Sequence, residues 1–233
     1  MKLTHYGIRE WLGGGIICLL LLAGSVLIAV FADVFAGVSL SVIFVLLWFA
    51  IAAFFRDPER VIPEGDNMLV SPADGHVRDI EIISAGAENE YFGGRNVIRV
   101  GIFLSVFDVH LNRAPCQLRI RERIYRKGRF HDARDPLASA ENEAMTIVCD
   151  ADAYGKAFTL VVRQISGAIA KRIVCPAEPG TVFSKGEIYG MIKFGSRTEL
   201  FFPASSDFEL KVKIGDRVHA GTSIMAEIKN KTE

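Results

Sequence analysis

The chain has 233 residues with 27 Lys plus Arg against 27 Asp plus Glu, and half of its residues are hydrophobic. Zero net charge argues against a nucleic-acid partner, which calls for a basic excess. The length suits one sizeable domain with an appendage, and such a core needs no disulfide staples.

Apolarity is concentrated at the start. No charged residue occurs from Trp11 to Ala32 or from Val34 to Phe55, two runs of 22 residues separated only by Asp33. As a helix each run reaches about 33 Å, close to the roughly 30 Å of a hydrocarbon layer. Residues 1–56 therefore read as a helical membrane hairpin and 57–233 as a separate β domain. Lys2 and Arg9 precede the first run, Arg56 and Arg60 follow the second, and the tip at 33–37 carries no basic residue. By the positive-inside rule both ends face the cytoplasm, so the expected location is the cell (inner) membrane with residues 57–233 on its cytoplasmic side. A signal peptide cut near Val30-Phe31-Ala32 is disfavoured by the long first run and the second apolar run at once behind it. A pair lying in one leaflet is not distinguished by periodicity, because both runs are apolar all round.

Beyond residue 57 come short alternating or apolar runs punctuated by Gly, Pro, Asn and Asp, the pattern of many short strands. The expected strands are 77–83, 97–107, 118–125, 144–149, 157–165, 187–194, 200–202, 208–212 and 224–228, with 133–142 as a loop or short helix. The fold class expected is mainly β, a compact antiparallel sandwich or barrel. Residues 208–228 read as strand, G-D turn, short strand, A-G turn and strand, like the barrel-sandwich-hybrid half-module of biotinyl and lipoyl carriers. A carrier needs a modifiable Lys at the hairpin tip, where this chain has Gly215-Asp216.

Cys18, Cys116, Cys149 and Cys175 form no C-x-x-C pair, and His5, His76, His110, His131 and His219 no i, i+4 pair. Neither a disulfide framework nor a metal site is expected. Three stretches set reactive side chains beside turns or strand ends: Asp74 in V-S-P-A-D-G, Asp108 and His110 in F-L-S-V-F-D-V-H-L-N-R-A-P, and Ser196 in I-K-F-G-S-R. Singly, each has a bland reading: Asp before Gly closes turns, a strand-end His is a hydrogen-bonded bystander, and a Gly-Ser pair is a weak signal. Together they supply the Asp, His and Ser of a nucleophilic triad, whose convergence spacing alone does not establish.

Their flanks are more specific. F-F-R-D-P-E-R-x-x-P, S-P-A-D-G-x-V, I-F-L-S-V-F-D-V-H-L-N-R-A-P, a later N-E, G-A-I-A-K-R-I-V-C and G-x-x-Y-G-M-I-K-F-G-S-R occur in order from about Phe54 to the chain end. This series closely resembles the short form of the phosphatidylserine decarboxylase family, pyruvoyl-dependent lyases made as proenzymes. The resemblance implies that phosphatidylserine is the substrate, phosphatidylethanolamine and CO2 are the products, and phospholipid biosynthesis is the setting. It implies self-cleavage between Gly195 and Ser196 into a large β chain (1–195) and a small α chain (196–233) that stay together as a heterodimer; higher oligomers are left open. Ser196 matches the serine that becomes the covalent pyruvoyl cofactor and forms a Schiff base with substrate, and Asp74 matches the acid that orients the base. Longer members carry D-x-H-x-x-H where this chain has Asp108, His110 and then Arg113, so His110 inherits the base role as the sole nearby imidazole. F-G-S-R in place of L-G-S-T supports the short branch.

The chemistry is coherent. In the maturation implied, His110 takes the Ser196 hydroxyl proton, Oγ attacks the Gly195 carbonyl, and the C–N bond breaks to leave an ester. Loss of the α proton then expels the Gly195 carboxylate, and the resulting dehydroalanine tautomerises and is hydrolysed to the ketone and ammonia. Asp108 competes with Asp74 as the orienting acid, since alternation along one strand puts it on the face of His110. Lys171, Arg172, Lys193, Arg197 and Arg113 are the basic candidates for the lipid head group. Two rival functions remain: a membrane-anchored adaptor or carrier, which gives the three stretches no task, and a serine hydrolase of lipid esters, which lacks its G-x-S-x-G elbow.

Overall fold

The computed structural model describes residues 2–84, 86–168, 172–193 and 195–229, and it divides into two compact units, one ending at Pro58 and one beginning at Glu59. In the first unit a single 3-10 turn at His5–Gly7 leads into α1 (Ile8–Phe31) and α2 (Val34–Phe54). Both helices are long and apolar enough to cross a membrane, and little of either is buried. Asp33, the one charge between them, makes the turn: its Oδ1 accepts from the Ala36 amide at 2.7 Å and caps α2. Small residues let the helices approach closely, Ser25 Oγ lying 2.7 Å from Ser41 Oγ, and Gly37 leaving no room for a Cβ against the Ala29 backbone. The base of the hairpin is closed by a bridge between Leu3 and Arg56 and by the Asp57 amide donating to the Lys2 carbonyl at 2.8 Å.

The second unit is mostly antiparallel β. In chain order it contains β1 (Met68–Val70), β2 (Gly75–Ile83), α3 (Ala87–Glu90), β3 (Val97–Leu104), β4 (Leu111–Arg113) and β5 (Gln117–Arg126). Next come α4 (Pro136–Glu141), β6 (Ala144–Ala153), β7 (Lys156–Ser166), β8 (Arg172–Val174), β9 (Val182–Phe183) and β10 (Ile188–Lys193). The chain closes with β11 (Ser196–Pro203), β12 (Phe208–Leu210), β13 (Arg217–Val218) and β14 (Ile224–Ile228). An eight-stranded sheet runs β13-β2-β3-β11-β7-β6-β5-β9, flanked by three-stranded sheets β1-β14-β12 and β4-β10-β8. Alternate residues of the large sheet, among them Val100, Ile102, Leu104, Leu160, Val162, Leu200 and Phe202, build the main core. Burial there pushes the Cys116 thiol up to about 12 and the Cys175 thiol up to about 11.

Several boundaries depart from the sequence reading for local reasons. β3 stops at Leu104 rather than 107 because Ser105 and Asp108 close a turn, the Asp108 carboxylate accepting from the Ser105 amide at 2.9 Å and hydroxyl at 2.7 Å. β11 starts four residues before the expected 200–202; a central strand buried on both faces, carrying Arg197 and Glu199, shows no alternation to read. Strands β1, β4, β8 and β9 span two or three residues each, too few for a period. The C-terminal run of turns and strands is present but divided, β12 and β14 pairing with each other and β13 with β2.

Candidate active site

β11 lies between β3 and β7, with Ser196 opposite Leu104 on one side and Ser166 on the other. The Ser196 side chain is fully buried, and its Oγ has no hydrogen-bond partner among the described residues. Gly195 enters the strand at φ +63, a left-handed conformation that disfavours side chains. Its amide donates to His110 Nε2 at 3.1 Å. On the other side of the ring, His110 Nδ1 lies 2.9 Å from the Asp108 carbonyl oxygen. A carbonyl only accepts, so Nδ1 carries the proton and Nε2 presents a lone pair at the Gly195-Ser196 junction. The structure therefore brings His110 to the backbone of Gly195, next in the chain to Ser196, with the imidazole and the serine both fully buried. The His110 backbone is itself pinned, its carbonyl accepting from the Ile192 amide of β10 at 3.1 Å.

Hydrogen bonds join both Asp carboxylates to groups other than His110, where alternation put that of Asp108 and the resemblance put that of Asp74. Asp108 is in the turn after β3, and it is its carbonyl that meets His110; its carboxylate holds Ser105 and, at 3.3 Å, Arg217. Asp74 stands just before β2 and is joined to His219 rather than to His110: it accepts from His219 Nδ1 at 3.3 Å, from Arg60 Nη2 at 3.0 and 2.8 Å, and from the Ala220 amide at 2.8 Å. Asp74→Ala should still be the more damaging change. It strands Arg60, whose side chain is 14% exposed, a loss of about 3–5 kcal/mol. Asp108→Ala frees only a turn and an exposed Arg217, about 1–3 kcal/mol. The expected result is a larger fall in cut chain and in melting temperature for Asp74→Ala; the reverse ranking would assign the orienting role to the Asp108 turn.

The other motif residues surround this corner. Asn112 Nδ2 donates to Thr198 Oγ1 at 3.0 Å, and Gln164 Nε2 donates to Asn112 Oδ1 at 2.8 Å, a fully buried chain of amides beneath β11. Asn142 Nδ2 donates to the Ser166 carbonyl at 2.7 Å, and Ser166 Oγ to the Glu143 carbonyl at 3.2 Å, which puts the N-E pair one strand from Ser196. Gly167 approaches the Gly195 carbonyl so closely that a Cβ there would collide with it.

Comparison with known proteins decides the family. The family model described as phosphatidylserine decarboxylase matches residues 48–226. A phosphatidylserine decarboxylase proenzyme of Geobacter metallireducens is 38% identical over 209 residues, covering 88% of this chain and 91% of its own. The protein of that name from Nitratidesulfovibrio vulgaris is 41% identical over 187 residues, 80% of this chain and 82% of its own. One from Cupriavidus pinatubonensis is 35% identical over 207 residues, 89% and 91%. The chain belongs to the phosphatidylserine decarboxylase family. Nothing in the structure or in these comparisons favours the adaptor or hydrolase readings.

Among the basic residues considered for the lipid head group in this phosphatidylserine decarboxylase family member, Lys171 lies outside the described residues, as does Phe194 of the I-K-F-G-S-R motif. Arg172 is exposed and pairs across strands with Lys193, which is buried. Arg113 Nη1 donates to the Gly186 carbonyl at 3.0 Å, and Arg197 is committed to internal carboxylates. Sequence reasoning did not single out Arg60, His219, Asn112 or Gln164. Arg60 and Asn112 stand within the quoted motifs, but their partners do not show there: His219 and Arg60 lie 145 and 14 residues from the Asp74 they join.

Proposed function

We propose that the chain is a proenzyme that cuts its own Gly195–Ser196 bond, and that its Ser196 end then serves to decarboxylate phosphatidylserine to phosphatidylethanolamine and CO2. The observation that carries this reading is His110 Nε2 at 3.1 Å from the Gly195 amide, one residue before a buried serine hydroxyl that has no hydrogen-bond partner among the described residues. An unpaired buried hydroxyl is a cost of about 1–3 kcal/mol, and such cost is retained where it has a task. For cutting, Nε2 exchanges the Gly195 N–H for the Ser196 O–H, and Oγ closes on the carbonyl of the adjacent left-handed glycine. The pyruvoyl group that Ser196 would become fits this corner, since the hydroxyl it would replace has no hydrogen-bond partner among the described residues for the change to strand. It would supply the electron sink that an amino acid losing CO2 requires and that no unmodified side chain offers. His110, fixed by the Asp108 carbonyl, is the group placed to hold or return a proton there; Asp74 supports the same end of the sheet through Arg60 and His219.

The cut leaves residues 1–195 and 196–233 as a heterodimer, because β11 remains paired on both sides by strands of the larger chain. The apolar helices keep the catalytic unit at the lipid surface, on the cytoplasmic side of the cell (inner) membrane by the flanking basic residues. Deleting residues 1–56 should release the protein from membranes and lower activity on bilayer lipid more than on detergent-dispersed lipid. A truncated form that still pellets with membranes at high salt would refute that placement. The reading as a whole is tested by intact mass: two fragments, the smaller of about 4 kDa by its length and without a free α-amino group. An active enzyme whose smaller fragment begins with unmodified serine would sink it.

A further inference from the structure

Immediately after Ser196 the strand buries a charge. Arg197 is 7% exposed, and its guanidinium forks onto Asp79 of β2, Nη1 to Oδ2 and Nη2 to Oδ1, both at 2.7 Å. Its Nε donates to Glu199 Oε1 at 2.9 Å. Glu199 is fully buried and anchored in turn, by Ser139 Oγ at 2.7 Å and Arg163 Nη1 at 3.4 Å. Room for this cluster comes from Gly101, which pairs with Glu199 across β3 and β11; a Cβ there would stand 2.6 Å from Asp79 Oδ1 and overlap the Arg197 guanidinium. Burial works against the charge on Arg197, but Asp79 and Glu199 outweigh it and hold the group above its ordinary value.

We infer that Arg197 is the positioning residue that holds the end of the small chain in register once the Gly195–Ser196 bond is gone. This rests on the self-cleavage reading. Before the cut, residue 196 is fixed from both sides by the chain. Afterwards it is a terminus without an amide N–H, and strand termini fray unless tied down. The first side chain able to tie it is Arg197. Asp79, Ser139, Arg163 and Gly101 all belong to the large chain, so the clamp crosses the cut. A bidentate guanidinium–carboxylate fork fixes orientation as well as distance. Apolar residues would pack a central strand at least as stably, so the buried ions argue for register rather than for bulk stability.

The experiment compares full-length wild type, Arg197→Met, Arg197→Lys and Asp79→Asn, all in detergent with dispersed phosphatidylserine. The cut fraction is read by intact mass, and kcat and KM are expressed per cut chain. Arg197→Met should lower kcat at least about tenfold with KM within about twofold, because the reacting end is misplaced while lipid binding is untouched. Arg197→Lys should recover part of the loss, and the small fragment of the Met variant should leave the large one at lower urea. Asp79→Asn leaves the sequence around the cut intact, so it reads the clamp even where Arg197→Met is not processed, and it should shift kcat the same way. Asp79→Asn cut and turning over at the wild-type rate per chain would overturn the clamp. So would a raised KM at unchanged kcat, which would make Arg197 a lipid-binding residue. A wild-type chain that stays whole would instead overturn the self-cleavage reading.

Discussion

Ser196→Ala is expected to leave one uncut chain of 25.7 kDa with no decarboxylase activity. Only the hydroxyl at this position can attack the Gly195 carbonyl intramolecularly, and only a residue with a β leaving group can go on to a ketone. The geometry adds a second, less usual expectation. Removing a buried polar atom normally strands its partner, but Ser196 Oγ has none among the described residues. The alanine variant should therefore melt at or slightly above the temperature of an uncut wild-type precursor, because the desolvated hydroxyl is lost at no cost to a neighbour. Ser196→Cys and Ser196→Thr retain a nucleophile and should cut slowly, but only the cysteine can lead to the same pyruvoyl group. Gel mobility, intact mass and calorimetry on the three variants check both halves. An Ser196→Ala chain that is cut at residue 195 would show that another group performs the attack.

The residues proposed for this chemistry stood out through the motifs around them, since the local pattern of each one has a bland reading of its own. Asp74 precedes a glycine, His110 ends an apolar run, and Gly195-Ser196 breaks one. The approach of His110 to Gly195 was not legible, since the pairings that join β2, β3, β11 and β7 link segments scattered over more than a hundred residues. Period-2 alternation put Asp108 on the face of His110. A turn closed by the same residue's carboxylate overrides that pattern and leaves its carbonyl, not its acid, on the imidazole. Arg197 read as a head-group candidate, because nothing in I-K-F-G-S-R-T-E reveals that Asp79, 118 residues earlier, lies across the sheet from it. The hairpin was legible in full, as length and absence of charge are one-dimensional properties.

His110→Ala is expected to slow the cut by about 10²–10⁴-fold, the usual contribution of a positioned general base. The ring is fully buried, so truncation alone could impair folding; His110→Asn fills part of the space and keeps an N–H for the Asp108 carbonyl while removing the basic nitrogen. Both variants should accumulate precursor, and the asparagine one should do so with a near-native melting temperature. His219 supplies the control: it reaches Asp74 at 3.3 Å, its side chain is 44% exposed, and His219→Ala should cut at close to the normal rate. A precursor that accumulates in His219→Ala but not in His110→Asn would move the base to the Asp74–His219 pair.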